Sequence, residues 1–108
     1  MSNKYKLVFT VPLSHADKVR STIGEAEAGK YPSYSFCSFS SRGIGRFKPE
    51  MGANPAIGEI GKMEEVEEER IECQIDTEAV NEVLKALRQS HPYEEIAYDL
   101  LPLEMRAL

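Results

Sequence analysis

His91-Pro92-Tyr93-Glu94-Glu95, followed by Ile96-Ala97-Tyr98-Asp99-Leu100-Leu101-Pro102-Leu103, is the stretch on which the fold turns. Pro92 cannot continue a helix and pushes the residue before it out of helical backbone, so His91 marks the point where a helix stops and a strand begins. The same five residues gather one imidazole, one phenol and two carboxylates, the densest polar chemistry in the chain.

Upstream of His91, Val80, Val83, Leu84 and Leu87 form one apolar stripe up to Ser90, which predicts a helix with Asp76 as N-cap and Glu78 in its first turn. Before that, Ile71, Cys73 and Ile75 alternate with Arg70, Glu72 and Gln74, a strand that begins near Val66. The carboxylates of Glu64, Glu65, Glu67, Glu68, Glu69 and Glu72 read as the solvated side of an edge strand. At the other end, Tyr5, Leu7, Phe9 and Val11 share one face of a strand, and Val8 on the opposite face suits a central position. Pro12 stops that strand. Ser14 and Asp17 resemble a capping box, Ala16, Val19, Ile23 and Ala26 recur at helical spacing, and Gly29 is placed to close the helix in left-handed backbone. A second strand is predicted over Tyr34 to Ser40, and Arg42 to Lys62, with five glycines and two prolines, reads as a long loop or an extra hairpin.

The order strand, helix, strand, strand, helix, strand predicts an α+β domain of the ferredoxin-like split βαβ type. In it a four-stranded antiparallel sheet carries two helices on one face. The last strand is apolar on both faces, with Ile96, Tyr98 and Leu100 on one and Ala97, Leu101 and Leu103 on the other. An apolar open face predicts self-association, for which a twofold dimer is the default.

A chain of 108 residues, 42% apolar and 29% charged, can bury one core, so a single domain over residues 1–108 is expected. No apolar run approaches the ~20 residues of a bilayer span, which favours a cytoplasmic protein with no membrane partner. A net charge of -5 disfavours nucleic acid, despite a basic patch at Arg42, Arg46 and Lys48. Cys37 and Cys73 lack metal-site spacing and read as small buried hydrophobes.

Three constellations bear on function. Gly43 to Pro49, with Arg46 and Lys48, has elements of an anion-cradling loop, although glycines permitting tight turns explain it better. His91, Glu94 and Glu95 combine ligand types suited to a divalent metal ion, against the plainer reading of a turn with solvated carboxylates. No serine, threonine or cysteine is linked by spacing to a histidine and an acid, so catalysis is not indicated.

With these residues read, the chain resembles a standalone copy of the domain inserted in YqfO-type members of the Nif3-like family of dinuclear-metal proteins. The likeness rests on Tyr34 with Cys37-Ser38-Phe39, on Gly43-x-Gly45-x-Phe47-x-Pro49 with Asn54-Pro55-Ala56-Ile57-Gly58, and on His91-Pro92-Tyr93-Glu94-Glu95 with Ala97-Tyr98-Asp99. The resemblance implies a fold similar to CutA and PII proteins, which replaces the dimer with a homotrimer whose sheets face inward. It implies a non-enzymatic module that binds a small ligand or divalent ion in clefts between subunits, where Arg46, Lys48, Asn54 and Tyr93 would line a ligand and His91, Glu94 and Glu95 a metal. A purely structural or protein-binding module is the alternative, and a metal-dependent hydrolase a distant third. The metal-holding domains of the full-length relatives have no counterpart here, and Glu27 to Pro32 departs from the family's glycine-rich turn.

Overall fold

The computed structural model describes residues 3–108. Its elements are β1 (Lys4–Pro12), α1 (Leu13–Glu25), β2 (Phe39–Phe47), β3 (Glu64–Asp76), α2 (Val80–Ser90) and β4 (Tyr98–Pro102), with a single 3-10 turn at Thr77–Ala79 ahead of α2. The four strands form one antiparallel sheet in the order β2-β3-β1-β4. This is the ferredoxin-like split βαβ plan expected from the element order.

The core follows from side-chain parity. Leu7, Phe9 and Val11 of β1 lie on the same side as Ile71, Cys73 and Ile75 of β3, because directly paired residues of antiparallel strands share a face. Ala16, Val19 and Ile23 of α1 and Val83, Ala86 and Leu87 of α2 cover that side, and all twelve side chains are buried together. Each large aliphatic or aromatic member contributes about 1.5–3 kcal/mol through removal from water.

Several sequence expectations need correction. The second strand lies not at Tyr34 to Ser40 but at Phe39–Phe47, inside what reads as loop. Gly43 and Gly45 hide it by breaking the alternation of side chains. Gly45 nonetheless makes room for the Glu68 carboxylate, because a Cβ there would lie 2.0 Å from Glu68 Oε1. The segment before it is irregular instead, with Phe36 in left-handed backbone and Tyr31 and Tyr34 bonded to each other through their main chains. β3 lies between β2 and β1 from Glu68 to Asp76, so Glu68, Glu69 and Glu72 do not stand on an edge strand as expected, whereas Glu64, Glu65 and Glu67 lie beyond β1 with only β2 beside them.

The capping box does not form. Pro12 occupies the N-cap of α1, Ser14 bonds His15 Nδ1 at 2.8 Å, and Asp17 pairs with Arg20. Asp76 precedes the 3-10 turn without a side-chain cap bond. Cys73 is buried as expected, whereas Cys37 is half-buried. β4 is also shorter than the apolar run suggests.

The open face of the sheet is not an apolar surface. Pairing places Lys6, Val8, Arg70, Glu72, Gln74, Asp99 and Leu101 there, with Phe39 from β2. Lys6 Nζ lies 2.8 Å from Glu72, which also meets Arg70, and the Lys6 bond holds the Glu72 carboxyl below its usual range. Phe39 and Leu101, 69% and 48% exposed, are apolar points on this charged field.

α1 is closed in left-handed backbone by Glu27, φ 81°, and not by Gly29 as expected; Gly29 lies beyond the cap, with φ 75° and its amide on the Gln74 carbonyl at 2.7 Å. A Cβ at this position would meet the Cys37 carbonyl oxygen at 2.0 Å, a backbone atom that cannot rotate away. Gly29→Ala is expected to cost more than about 1 kcal/mol, a fall of more than about 4 °C in melting temperature, which a thermal denaturation curve measures.

Candidate functional site

α2 ends where Pro92 requires. His91 has φ -78° and ψ 137°, extended backbone, while its amide still reaches the Leu87 carbonyl at 2.9 Å. The turn folds the imidazole inward until it is only 6% exposed. Nε2 lies 2.8 Å from the Thr10 carbonyl oxygen and Nδ1 lies 3.1 Å from the Tyr93 amide nitrogen. A carbonyl can only accept and an amide can only donate, so the ring is held as the neutral Nε2–H tautomer with both nitrogens engaged. Burial, opposed by the Thr10 bond and by the Glu68 charge, pushes its pKa below the ordinary value. In this geometry His91 offers no lone pair to a metal.

Tyr93 follows the same inward course. Its ring packs edge-on against Phe47 at 5.7 Å between centroids and tilts against His91 at 5.1 Å. Its hydroxyl donates to Glu68 Oε2 at 2.9 Å. Glu68 is 5% exposed, so the phenol meets the need of a buried carboxylate for a donor. Burial and the Glu68 charge together raise the Tyr93 pKa far above its usual value.

Glu94 and Glu95 remain at the surface. Glu94 Oε2 accepts the Asn54 backbone N–H at 2.6 Å, tying the connection between β2 and β3 to the segment before β4. The tie frames a cleft of about 820 Å³ lined by residues 47–53, by Pro55, Ala56 and Ile57, and by residues 93–97. Of the expected ligand-lining residues, Lys48 and Tyr93 form its walls, and Asn54 contributes the amide that shapes it. Lys48 Nζ sits 3.7 Å from Glu50. Arg46 lies apart from the cleft lining, on β2, with Nε 2.9 Å from Glu65. Among the described residues no three histidine, cysteine or carboxylate side chains are grouped to hold a metal ion.

Phe47, Glu50, Met51, Ile57 and Ile96 line the cleft without having been expected to, although Phe47 and Ile57 stand in the motifs that carry the resemblance. Sequence reasoning also passed over Glu68, whose place in an acidic run gives no sign that it alone is buried.

No family model matches the chain. Over 99 residues, 92% of its length, it is 52% identical to a GTP cyclohydrolase 1 type 2 homolog from Halalkalibacterium halodurans, and it spans 27% of that protein. A solved Bacillus cereus protein related to NIF3 superposes over 96% of the chain with TM-score 0.83 and 43% identity, and 26% of that structure is covered. The periplasmic divalent cation tolerance protein CutA from Archaeoglobus fulgidus shares the fold at TM-score 0.69 and 20% identity, over 97% of this chain and 87% of its own.

The lowered His91 pKa sets the sign of a pH effect. Well above pH 6.5 both states hold a neutral ring and the full stability is present. As the pH falls from there toward the folded-state value, the unfolded chain takes up a proton that the folded chain refuses, and stability declines. Urea midpoints measured from pH 7.5 down to pH 5 should fall in the native chain. The fall should be smaller in His91→Gln. Tyr93→Phe, which strands the Glu68 carboxylate, is expected to cost about 1–3 kcal/mol at neutral pH in the same measurement.

Proposed function

This chain is a relative of the domain that makes up about a quarter of the GTP cyclohydrolase 1 type 2 homologs, and from that premise we propose that it is a non-enzymatic, CutA-like binding module. The cleft between residues 47–57 and 93–97 is the observation that carries the reading. It is large enough for a small molecule, mostly apolar in its walls, and furnished with a few charged groups, the usual make-up of a ligand site. In the proposal three copies assemble as a homotrimer, the cleft opens near the contact between subunits, and the site works in the cytoplasm, where the free Cys37 and Cys73 thiols suit a reducing environment.

The absence of turnover follows from how the proton-transfer groups are used. The His91 imidazole and the Tyr93 phenol, the two best candidates for general acid or base, are both committed to fixed bonds within the domain. Glu94 is likewise occupied in holding Asn54. Among the described residues no helix is long and apolar enough to cross a membrane, which agrees with a module acting away from the bilayer.

Native mass spectrometry of the chain purified without chelator tests assembly and binding together. The expected species is three times the 12.1 kDa chain mass, and a monomer at micromolar concentration would remove the trimer. In a thermal-shift screen of nucleotides, amino acids, amines and divalent metal salts, at least one compound should raise the melting temperature of the native chain. The rise should shrink in Glu94→Ala, where the cleft loses its tie. If no compound shifts either protein, the binding reading fails.

A further inference from the structure

The cleft has a chemical character that selects among ligands. Its charged lining is three carboxylates, Glu50, Glu94 and Glu95, against the single ammonium of Lys48. Lys48 is turned toward Glu50 and Glu94 toward the Asn54 amide, which leaves Glu95 as the carboxylate without a protein partner among those bonds. The same lining holds the paired rings of Phe47 and Tyr93, with the half-buried Ile57 and Ile96 as its apolar side.

A metal ion is poorly served by this arrangement. Hard divalent cations need several oxygens converging within about 2.6 Å, and no three such side chains are grouped among the described residues. An organic cation has different needs. A positive charge carried on an apolar body is satisfied by separated carboxylates, by aromatic rings within about 6 Å and by an apolar wall for its stem. We infer that the cleft binds a small organic cation, a primary amine or guanidinium carried on an apolar or aromatic body. This rests on the reading of the cleft as a ligand site and narrows it to one class.

The test uses the full chain labelled with 15N and three probes of nearly equal shape: phenethylamine, which is cationic at neutral pH, phenylacetate, which is anionic, and neutral benzyl alcohol. Phenethylamine is expected to move amide signals of residues 47–57 and 93–97 and to bind about tenfold or more tighter than phenylacetate, with a preference that shrinks as salt is added. Glu95→Gln should weaken it about threefold, and adding Glu50→Gln should weaken it further, as loss of exposed charge partners does. Both substitutions lie at exposed positions, and unchanged signals from the core strands confirm that the variants fold. If phenylacetate or benzyl alcohol binds the cleft as tightly as phenethylamine, or if the double variant binds phenethylamine unchanged, the cation inference falls and the cleft stands. If none of the three probes moves those signals, both fall.

Discussion

The imidazole of His91 is the joint that the rest of the site depends on. It takes an N–H from Tyr93 on one side and gives an N–H to the Thr10 carbonyl near the end of β1 on the other. Two segments 81 residues apart are thereby fixed through one planar ring, and the tautomer is not free to change while both bonds hold. Tyr93 inherits its position from that ring and passes it on to Glu68 and Phe47. The wall of the cleft is therefore an extension of the sheet and not an independent loop. Glu94 then closes the opposite side with a single bond to Asn54.

Much of the fold could be read from the residues. The stripe of Val83 and Leu87, the alternation of Ile71, Cys73 and Ile75, and the stop at Pro92 each reflect a local rule that tertiary packing reinforces. β2 escaped because the local rule and the global need pointed in opposite directions. Glycine weakens a strand by itself, yet at Gly45 a bare backbone is what lets the Glu68 carboxylate lie over the neighbouring strand. The capping box failed for a similar reason: β1 runs into α1 at Pro12 without a connecting loop, and Ser14 falls inside the first turn.

The candidate site was only half legible. Which residues mattered at His91 to Glu95 was evident from their density, but their roles divided in a way that spacing does not encode. His91 and Tyr93 turned inward to bond the framework, while Glu94 and Glu95 stayed outward. The alternation of an extended segment separates the two glutamates, and it cannot show that a turn will bury a histidine. Arg46 and Lys48 were likewise grouped as one basic patch, yet β2 ends between them, leaving Arg46 on the sheet edge and Lys48 in the cleft.

β3 has a further implication for how firmly the parts are held. Its residues from Glu68 to Asp76 are paired with β1, whereas Glu64 to Glu67 have only β2 for company. The outer part of the hairpin is thus a two-stranded ribbon projecting from a molecule 49 Å long and 26 Å wide, with no helix beneath it. A ribbon of two strands has little stability of its own in water. The pairing is thus graded along β3, from a body held on both sides to an arm held on one. One wall of the cleft follows that arm and the other belongs to the body, and the two are joined where Phe47 packs on Tyr93 and where Glu94 accepts the Asn54 amide.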